Sequence, residues 1–212
     1  MKQKISGLYA ITPEWADTDK LLNAVRAALQ GGAHAIQYRN KGDDVALQHE
    51  QASELLLLCR EFSVPLIIND NLRLADLTDA DGLHLGAEDG SLKEARFILG
   101  RNKIIGVSCY NSMARAVEAE AQGADYVAFG SFFSSSTKPL AVPAPLSLLH
   151  EAKRQLLIPV VAIGGITTDN AATLVGAGAD AIAVISALFD SEDILITAKE
   201  FTSLFQRPDQ IQ

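Results

Sequence analysis

Arg39, Lys41 and Lys138 offer cations, Asp70 and Asp89 offer hard carboxylate oxygens, and Gly164 and Gly165 offer open backbone amides. A planar guanidinium fork suits a phosphate or carboxylate, and an ammonium adds a mobile point charge beside it. Magnesium usually takes one or two protein carboxylates and fills its other positions with water and substrate phosphate, which an Asp70 and Asp89 pair allows. Glycines at a helix start bind a phosphate through amides, with no basic side chain needed. The chemistry these residues could do is therefore capture of two anions. One site, with cations and a metal, suits a pyrophosphate; the other, near Gly165 and Ser186, suits a monophosphate. Two phosphorylated substrates are implied.

The elements that must position these residues are eight short apolar runs: LYAIT (8–12), HAIQYR (34–39), LIIND (66–70), GLHLG (82–86), KIIGVS (103–108), YVAFG (126–130), VVAIGG (160–165) and AIAVIS (181–186). Runs this short, rich in Ile and Val and separated by helix-period segments, predict parallel strands joined by crossover helices. The second, fourth, sixth and eighth follow a small-residue corner (GGAH, DADG, GAD, GAD), while Pro65 and Pro159 introduce the third and seventh. Glycine just past a helix end caps it, and proline before a strand stops the helix without removing a needed donor. Eight such units predict an α/β fold, an eight-stranded parallel (β/α)8 TIM barrel over residues 1–212, rather than an open doubly wound sheet. All strand C-terminal ends then share one rim.

Composition agrees with one soluble catalytic domain: 48% hydrophobic and 21% charged residues suffice for a single core, and no linker divides the chain. The N-terminal stretch is cut by Pro13 and makes a poor signal peptide, and no run approaches a membrane span, so a cytoplasmic protein is expected. A net charge of −8 without a basic tail or stripe argues against nucleic acid and anionic membranes as partners. Cys59 lies in an apolar helical stretch and Cys109 follows a strand end; without CxxC spacing they read as reduced thiols. The sequence also allows a homodimer.

Each site residue has a competing structural reading. Period-two alternation turns Gln37 and Arg39 into the barrel mouth, where Arg39 either binds an anion or pairs with an acidic residue. Asp70 either holds a metal or caps the helix NLRLADL. Asp89 is less easily absorbed, because Ser91 with Glu94 already supplies a capping box for the next helix. His84 reads as a hydrogen-bonded core residue rather than a ligand. FGSFFSSSTKP (129–139) is either an anion-binding loop or a polar surface loop. AIGGITTDN starts a helix with Thr167 as its cap, and Ser186 ends the last strand; loops at these two positions of a barrel frequently bind phosphate.

At these residues the chain resembles the thiamine-phosphate synthase family along essentially its whole length. LYAITP, QYRNK, IINDN, ADGLHLGAED, IIGVSCYN, ADYVAFGSFFSSSTKP and PVVAIGGIT follow the family's motifs in order and spacing. The resemblance implies a transferase of thiamine biosynthesis. It would join 4-amino-2-methyl-5-hydroxymethylpyrimidine diphosphate to a thiazole phosphate, releasing pyrophosphate and yielding thiamine phosphate by magnesium-assisted dissociative substitution. By motif, Gln37, Arg39, Lys41, Asn69, Ser108 and Lys138 would hold the pyrimidine diphosphate, with Arg39, Lys41, Ser108 and Lys138 as the catalytic set. Asp70 and Asp89 would hold one magnesium ion, and Ser135, Ser136, Thr137, Gly165, Ile185 and Ser186 the thiazole phosphate. The chain departs from the pattern at Ala87, where the family has Gln, at Ser131 and Ser134, which replace prolines, and at Ser135, which replaces threonine. Thiazole tautomerase-like and noncatalytic phosphate-binding paralogues share the barrel but usually lack the full diphosphate and metal set. A Schiff-base aldolase would carry its lysine on a strand facing the mouth, and Lys138 instead lies well beyond Gly130.

Overall fold

The computed structural model describes residues 3–86, 89–134 and 143–206. Its strands are β1 (Gly7–Ile11), β2 (Ala35–Tyr38), β3 (Leu66–Asn69), β4 (Gly82–Leu85), β5 (Ile104–Tyr110), β6 (Tyr126–Phe129), β7 (Val160–Ile163) and β8 (Ala181–Val184). They pair in parallel in chain order, and β8 closes onto β1 with Leu8 opposite Ile182. The eight-stranded barrel read from the apolar runs is therefore present. The helices among the described residues are α1 (Thr18–Gln30), α2 (Val45–Glu61), α3 (Leu72–Leu77), α4 (Leu92–Leu99), α5 (Met113–Ala121), α6 (Ser147–Gln155), α7 (Thr168–Gly176), α8 (Ser186–Phe189) and α9 (Ile194–Ser203). The short α8 has no counterpart in the sequence reading, because four residues carry no helical period. β5 also runs on to Tyr110, with an irregular register between Ser108 and Tyr110, so Cys109 lies within the strand rather than after it.

Two apolar layers hold the barrel. Inside, Tyr9, Ile11, Ile67, Ile104, Tyr126 and Val161 pack together; outside, the opposite strand faces meet the helices through residues such as Leu8, Ile36, Ile68, Leu83 and Val127. Burial on both faces is why the strands read as continuous apolar runs. Six helices start on a side-chain cap: Asp17, Asp44, Asn71, Ser91, Ser112 and Asp193 each accept a backbone N–H from the first turn.

The corners before even-numbered strands carry more than turn chemistry. Asp81 accepts the N–H of Leu66, Asp125 that of Ile105 and Asp180 that of Val160, all at 2.8 to 2.9 Å. Each ties the base of one strand to the start of its predecessor. Pro65 and Pro159, which lack an N–H, contribute their carbonyls to Ile36 and Val127 instead. Among the described residues no helix is long and apolar enough to cross a membrane.

Candidate active site

The C-terminal strand ends gather the described site residues at one rim. Arg39 and Lys41 follow β2, Asn69 ends β3 and Asp70 follows it, Gly86 and Asp89 follow β4, and Ser108 lies on β5. Gly164 and Gly165 follow β7, Ile185 joins β8 to α8, and Ser186 opens α8 rather than ending the last strand, because β8 stops at Val184. Lys138, Ser135, Ser136 and Thr137 lie outside the described residues, as does Ala87.

Asp70 is free for chemistry because the helix cap goes to its neighbour. Asn71 accepts the N–H of Leu74 at 2.9 Å and starts α3, while Asp70 sits just before it at φ +61°. Left-handed backbone is tolerated by Asp among non-glycine residues. Its carboxylate takes the Lys41 ammonium at 2.9 Å and the Asn69 amide at 2.7 Å, both on Oδ2. The helix after β4 is likewise capped by Ser91, which accepts the N–H of Glu94 at 3.1 Å, leaving Asp89 to accept the N–H of Gly86 at 2.8 Å. A Cβ on Gly86 would stand 2.3 Å from Asp89 Oδ2, so glycine is what lets that carboxyl fold back over the strand end.

Asp70 and Asp89 lie close enough to shift each other's titration in opposite directions. Burial would raise Asp70, but the hydrogen bond from Lys41, that from Asp89 and the Lys41 charge outweigh it and hold Asp70 below its usual range. Asp89 moves the other way: burial raises it, and the Asp70 hydrogen bond and charge raise it further. Two neighbouring carboxyls that perturb each other are a fitting seat for a hard divalent cation, which would be held by their oxygens. Two protein carboxylates are within what magnesium takes, and among the described residues no cluster of three or more acidic, His or Cys ligands competes with it.

Arg39 faces Glu14 of the β1–α1 loop in a short ion pair, and its backbone N–H is held by Thr12 Oγ1 at 3.0 Å. The guanidinium is thus aimed across the rim rather than into the core, with an exposed carboxylate as its present partner. Gln37 is buried and donates through Nε2 to Tyr9 Oη at 2.8 Å. His84, read as a core residue, hydrogen-bonds Tyr126 Oη through Nδ1 and Ser108 Oγ through Nε2, each at 2.9 Å. Tyr9 and Tyr126 were not singled out by the sequence reading. The available signal was glycine opposite a large ring: a Cβ on Gly106 would stand 1.9 Å from the Tyr126 ring, so Gly106 in KIIGVS is the space the tyrosine fills.

On the opposite side, Gly164 and Gly165 both adopt positive φ, at 103° and 63°. The N–H of Phe133 donates to Gly164 O at 3.1 Å, and a Cβ on Gly165 would meet Ser134 O at 2.3 Å, so the loops after β6 and β7 lie against each other. Ser131, in a proline position of the family pattern, donates its hydroxyl to Phe133 O at 2.6 Å, a tether where proline would use its ring. Thr167 occupies the N-cap position of α7, where Asn170 accepts its N–H at 2.9 Å while donating to Gly165 O at 3.0 Å.

Residues 8–188 match the thiamine monophosphate synthase family. A thiamine-phosphate synthase of Thiobacillus denitrificans is 58% identical over 94% of this chain and 94% of its own length. One of Nitrosospira multiformis is 52% identical over 97% of this chain and 88% of its own. Among solved structures, a thiamine phosphate pyrophosphorylase from Pyrococcus furiosus superposes with a TM-score of 0.83 at 39% identity, covering 93% of this chain and 94% of that one.

Proposed function

From the premise that this chain belongs to the thiamine monophosphate synthase family, we propose how its barrel mouth carries out the reaction. The chain is a transferase of thiamine biosynthesis that couples 4-amino-2-methyl-5-hydroxymethylpyrimidine diphosphate with a thiazole phosphate to give thiamine phosphate and pyrophosphate. The observation that carries the assignment of roles is the joining of Lys41, Asn69, Asp70 and Asp89 into one cluster where β2, β3 and β4 end.

Arg39, Lys41 and Lys138 bind the diphosphate of the pyrimidine substrate, and Gln37, Asn69 and Ser108 complete its site. Asp70 and Asp89 would hold one magnesium ion, which when bound neutralises charge on the departing pyrophosphate. Asn69 and Lys41 orient Asp70 for that task. Ser135, Ser136, Thr137, Gly165, Ile185 and Ser186 hold the thiazole phosphate, with the Gly165 loop fixed by Asn170. Departure of pyrophosphate leaves a methylene cation stabilised by the ring amino group, and the thiazole nitrogen attacks that carbon. This nucleophile needs no deprotonation, so the site needs no nucleophile-and-base pair; positioning and leaving-group neutralisation suffice. The buried, free thiols of Cys59 and Cys109 fit a reducing cytoplasm, where we place the enzyme as a single catalytic domain.

The test is pyrophosphate release by the full chain with both substrates, with and without magnesium, beside single-substrate controls. Release that needs both substrates and metal, with thiamine phosphate formed, is expected. Thiazole phosphate binding without coupling would instead assign a tautomerase-like or noncatalytic role.

A further inference from the structure

The buried face of α2 changes chemistry along its length. It is apolar at Ala52, Leu55, Leu56 and Cys59, but its first two turns bury Gln48 and Gln51. Three residues apart, the two glutamines share one side of the helix. A buried amide is unfavourable unless its polar atoms find partners, so an apolar residue would serve the core better at both positions. The partners these amides take lie at the barrel rim: the hydroxyl of Tyr38 at the end of β2, and backbone carbonyls of the loops after β1 and β2.

Gln48 Nε2 donates to Gly42 O at 2.7 Å and to Asn40 O at 3.4 Å, the carbonyls of the residues on either side of Lys41. Asn40 closes the same loop from within: its Oδ1 accepts the Gly42 N–H at 2.9 Å, and its Nδ2 donates to Tyr38 Oη at 3.2 Å. The Tyr38 hydroxyl donates to Gln51 Oε1 at 2.9 Å, and Gln51 Nε2 donates to Trp15 O at 2.9 Å, next to Glu14, the partner of Arg39. Backbone groups fix the direction of every bond. A carbonyl can only accept, so Gln48 and Gln51 turn Nε2 towards Gly42 and Trp15. The Gly42 N–H can only donate, so Asn40 turns Oδ1 towards it; Tyr38 then accepts from Asn40 and gives its own proton to Gln51.

Lys41 needs such a base. Its side chain is more than half exposed, and its ammonium meets Asp70 at 2.9 Å. A flexible four-carbon stem does not aim itself, so the backbone beneath it decides where the charge can go. We propose that Gln48 and Gln51 are positioning residues: from beneath the loop between β2 and α2 they set the backbone of residues 40–42, and so hold Lys41 against Asp70 and facing the diphosphate. The inference rests on the reading of Lys41 as a ligand of the diphosphate. Placement of this kind has a large effect on rate, since a shift of about 1 Å transmitted from outside the reacting centre can cost about 100-fold.

The test is a double-mutant cycle on the full chain. Gln48→Met and Tyr38→Phe are each made alone and together with Lys41→Ala, and read as the calorimetric Kd of magnesium pyrophosphate and as kcat/KM for each substrate. Methionine keeps the length and helix preference of glutamine without its donors. The carbonyls it leaves belong to the half-buried Asn40 and the exposed Gly42, where water can replace the amide. Phenylalanine cuts the link to Gln51 while leaving both glutamines in place. With Lys41 present, each variant is expected to weaken pyrophosphate about 10-fold and to lower kcat/KM for the pyrimidine diphosphate about as much, with KM for the thiazole phosphate within about twofold of wild type. With Lys41→Ala in place, neither variant is expected to weaken pyrophosphate further. Losses that add to that of Lys41→Ala would overturn the proposal, and so would variants that melt lower yet bind pyrophosphate as wild type does; either result would leave the glutamines as packing. A Lys41→Ala enzyme that binds pyrophosphate as tightly as wild type would instead overturn the reading of Lys41 as a diphosphate ligand, and the proposal with it.

Discussion

Lys41 Nζ lies 2.9 Å from Asp70 Oδ2, so the cation assigned to the diphosphate is already held against the carboxylate assigned to its metal. Substrate binding at this rim therefore begins from a cluster in which positive charge is aligned. Exposed lysine carries little stabilising energy in such a pair, whereas the same charge against a leaving pyrophosphate acts where water is partly excluded.

Lys41→Ala should separate these two contributions. We expect kcat/KM for the pyrimidine diphosphate to fall about 100-fold. Unfolding free energy should change by less than about 1 kcal/mol, as for an exposed ion pair. Steady-state kinetics and urea unfolding on one preparation check this, and equal loss of folding and activity would remove Lys41 from the chemistry. Asp70→Ala and Lys138→Ala are expected to follow the same pattern.

Magnesium binding should release a proton. Asp89 is raised above its usual value by burial and by Asp70, so the metal-free pair keeps a proton into a pH range where a free carboxyl would have lost it. Metal affinity should therefore fall as pH drops through the Asp89 titration, and calorimetry in buffers of different ionisation enthalpy should detect the released proton. The sign for folding is the opposite of the usual carboxylate case. A raised folded-state value adds stability below the unfolded carboxyl range and loses it as pH rises through the folded value. Asp89→Asn should consequently raise the metal-free melting temperature at neutral pH by about 2 °C and abolish stabilisation by magnesium.

Gly106→Ala places a Cβ 1.9 Å from the Tyr126 ring, which cannot retreat because His84 stacks on it. A loss of about 2 kcal/mol or more is expected from overpacking, measured by denaturant unfolding, together with reduced turnover.

Asp125→Ala should do the converse at the far end of the barrel. Asp125 accepts from Ile105 N at 2.8 Å and from Arg96 at 2.6 Å, both part-buried. Losing it leaves a cation and an N–H without this acceptor, a cost of about 3 kcal/mol. KM for both substrates, measured below the new unfolding transition, should stay unchanged.

Ser131→Ala removes the hydroxyl tether to Phe133 O beside the Gly164 and Gly165 loop. KM for the thiazole phosphate should rise about fivefold, near the energy of one neutral hydrogen bond, with KM for the pyrimidine diphosphate unchanged. Ser131→Pro should restore it, because the ring supplies by covalent restriction what the hydroxyl supplies by bonding.

The sequence by itself determined the barrel, since parallel strands buried on two faces leave short apolar runs, and the small-residue corners and two prolines mark where the helices stop. It also determined which charged residues follow the strands, and hence the rim at which Arg39, Lys41, Asp70 and Asp89 meet. Tertiary structure alone decided between readings that local pattern leaves equal. Asp70 and Asn71 are both good caps, and only the backbone turn at Asp70 gives the helix to Asn71 and the carboxylate to Lys41. Glu14 as the partner of Arg39, and the hydrogen-bonded line from Gln37 through Tyr9, Tyr126 and His84 to Ser108, join residues from separate strands and loops. Such contacts depend on closure of the barrel, which brings β1 beside β8 and sets Tyr9 across from Tyr126. Periodicity reports which face a side chain occupies; it carries no information about which distant side chain shares that face.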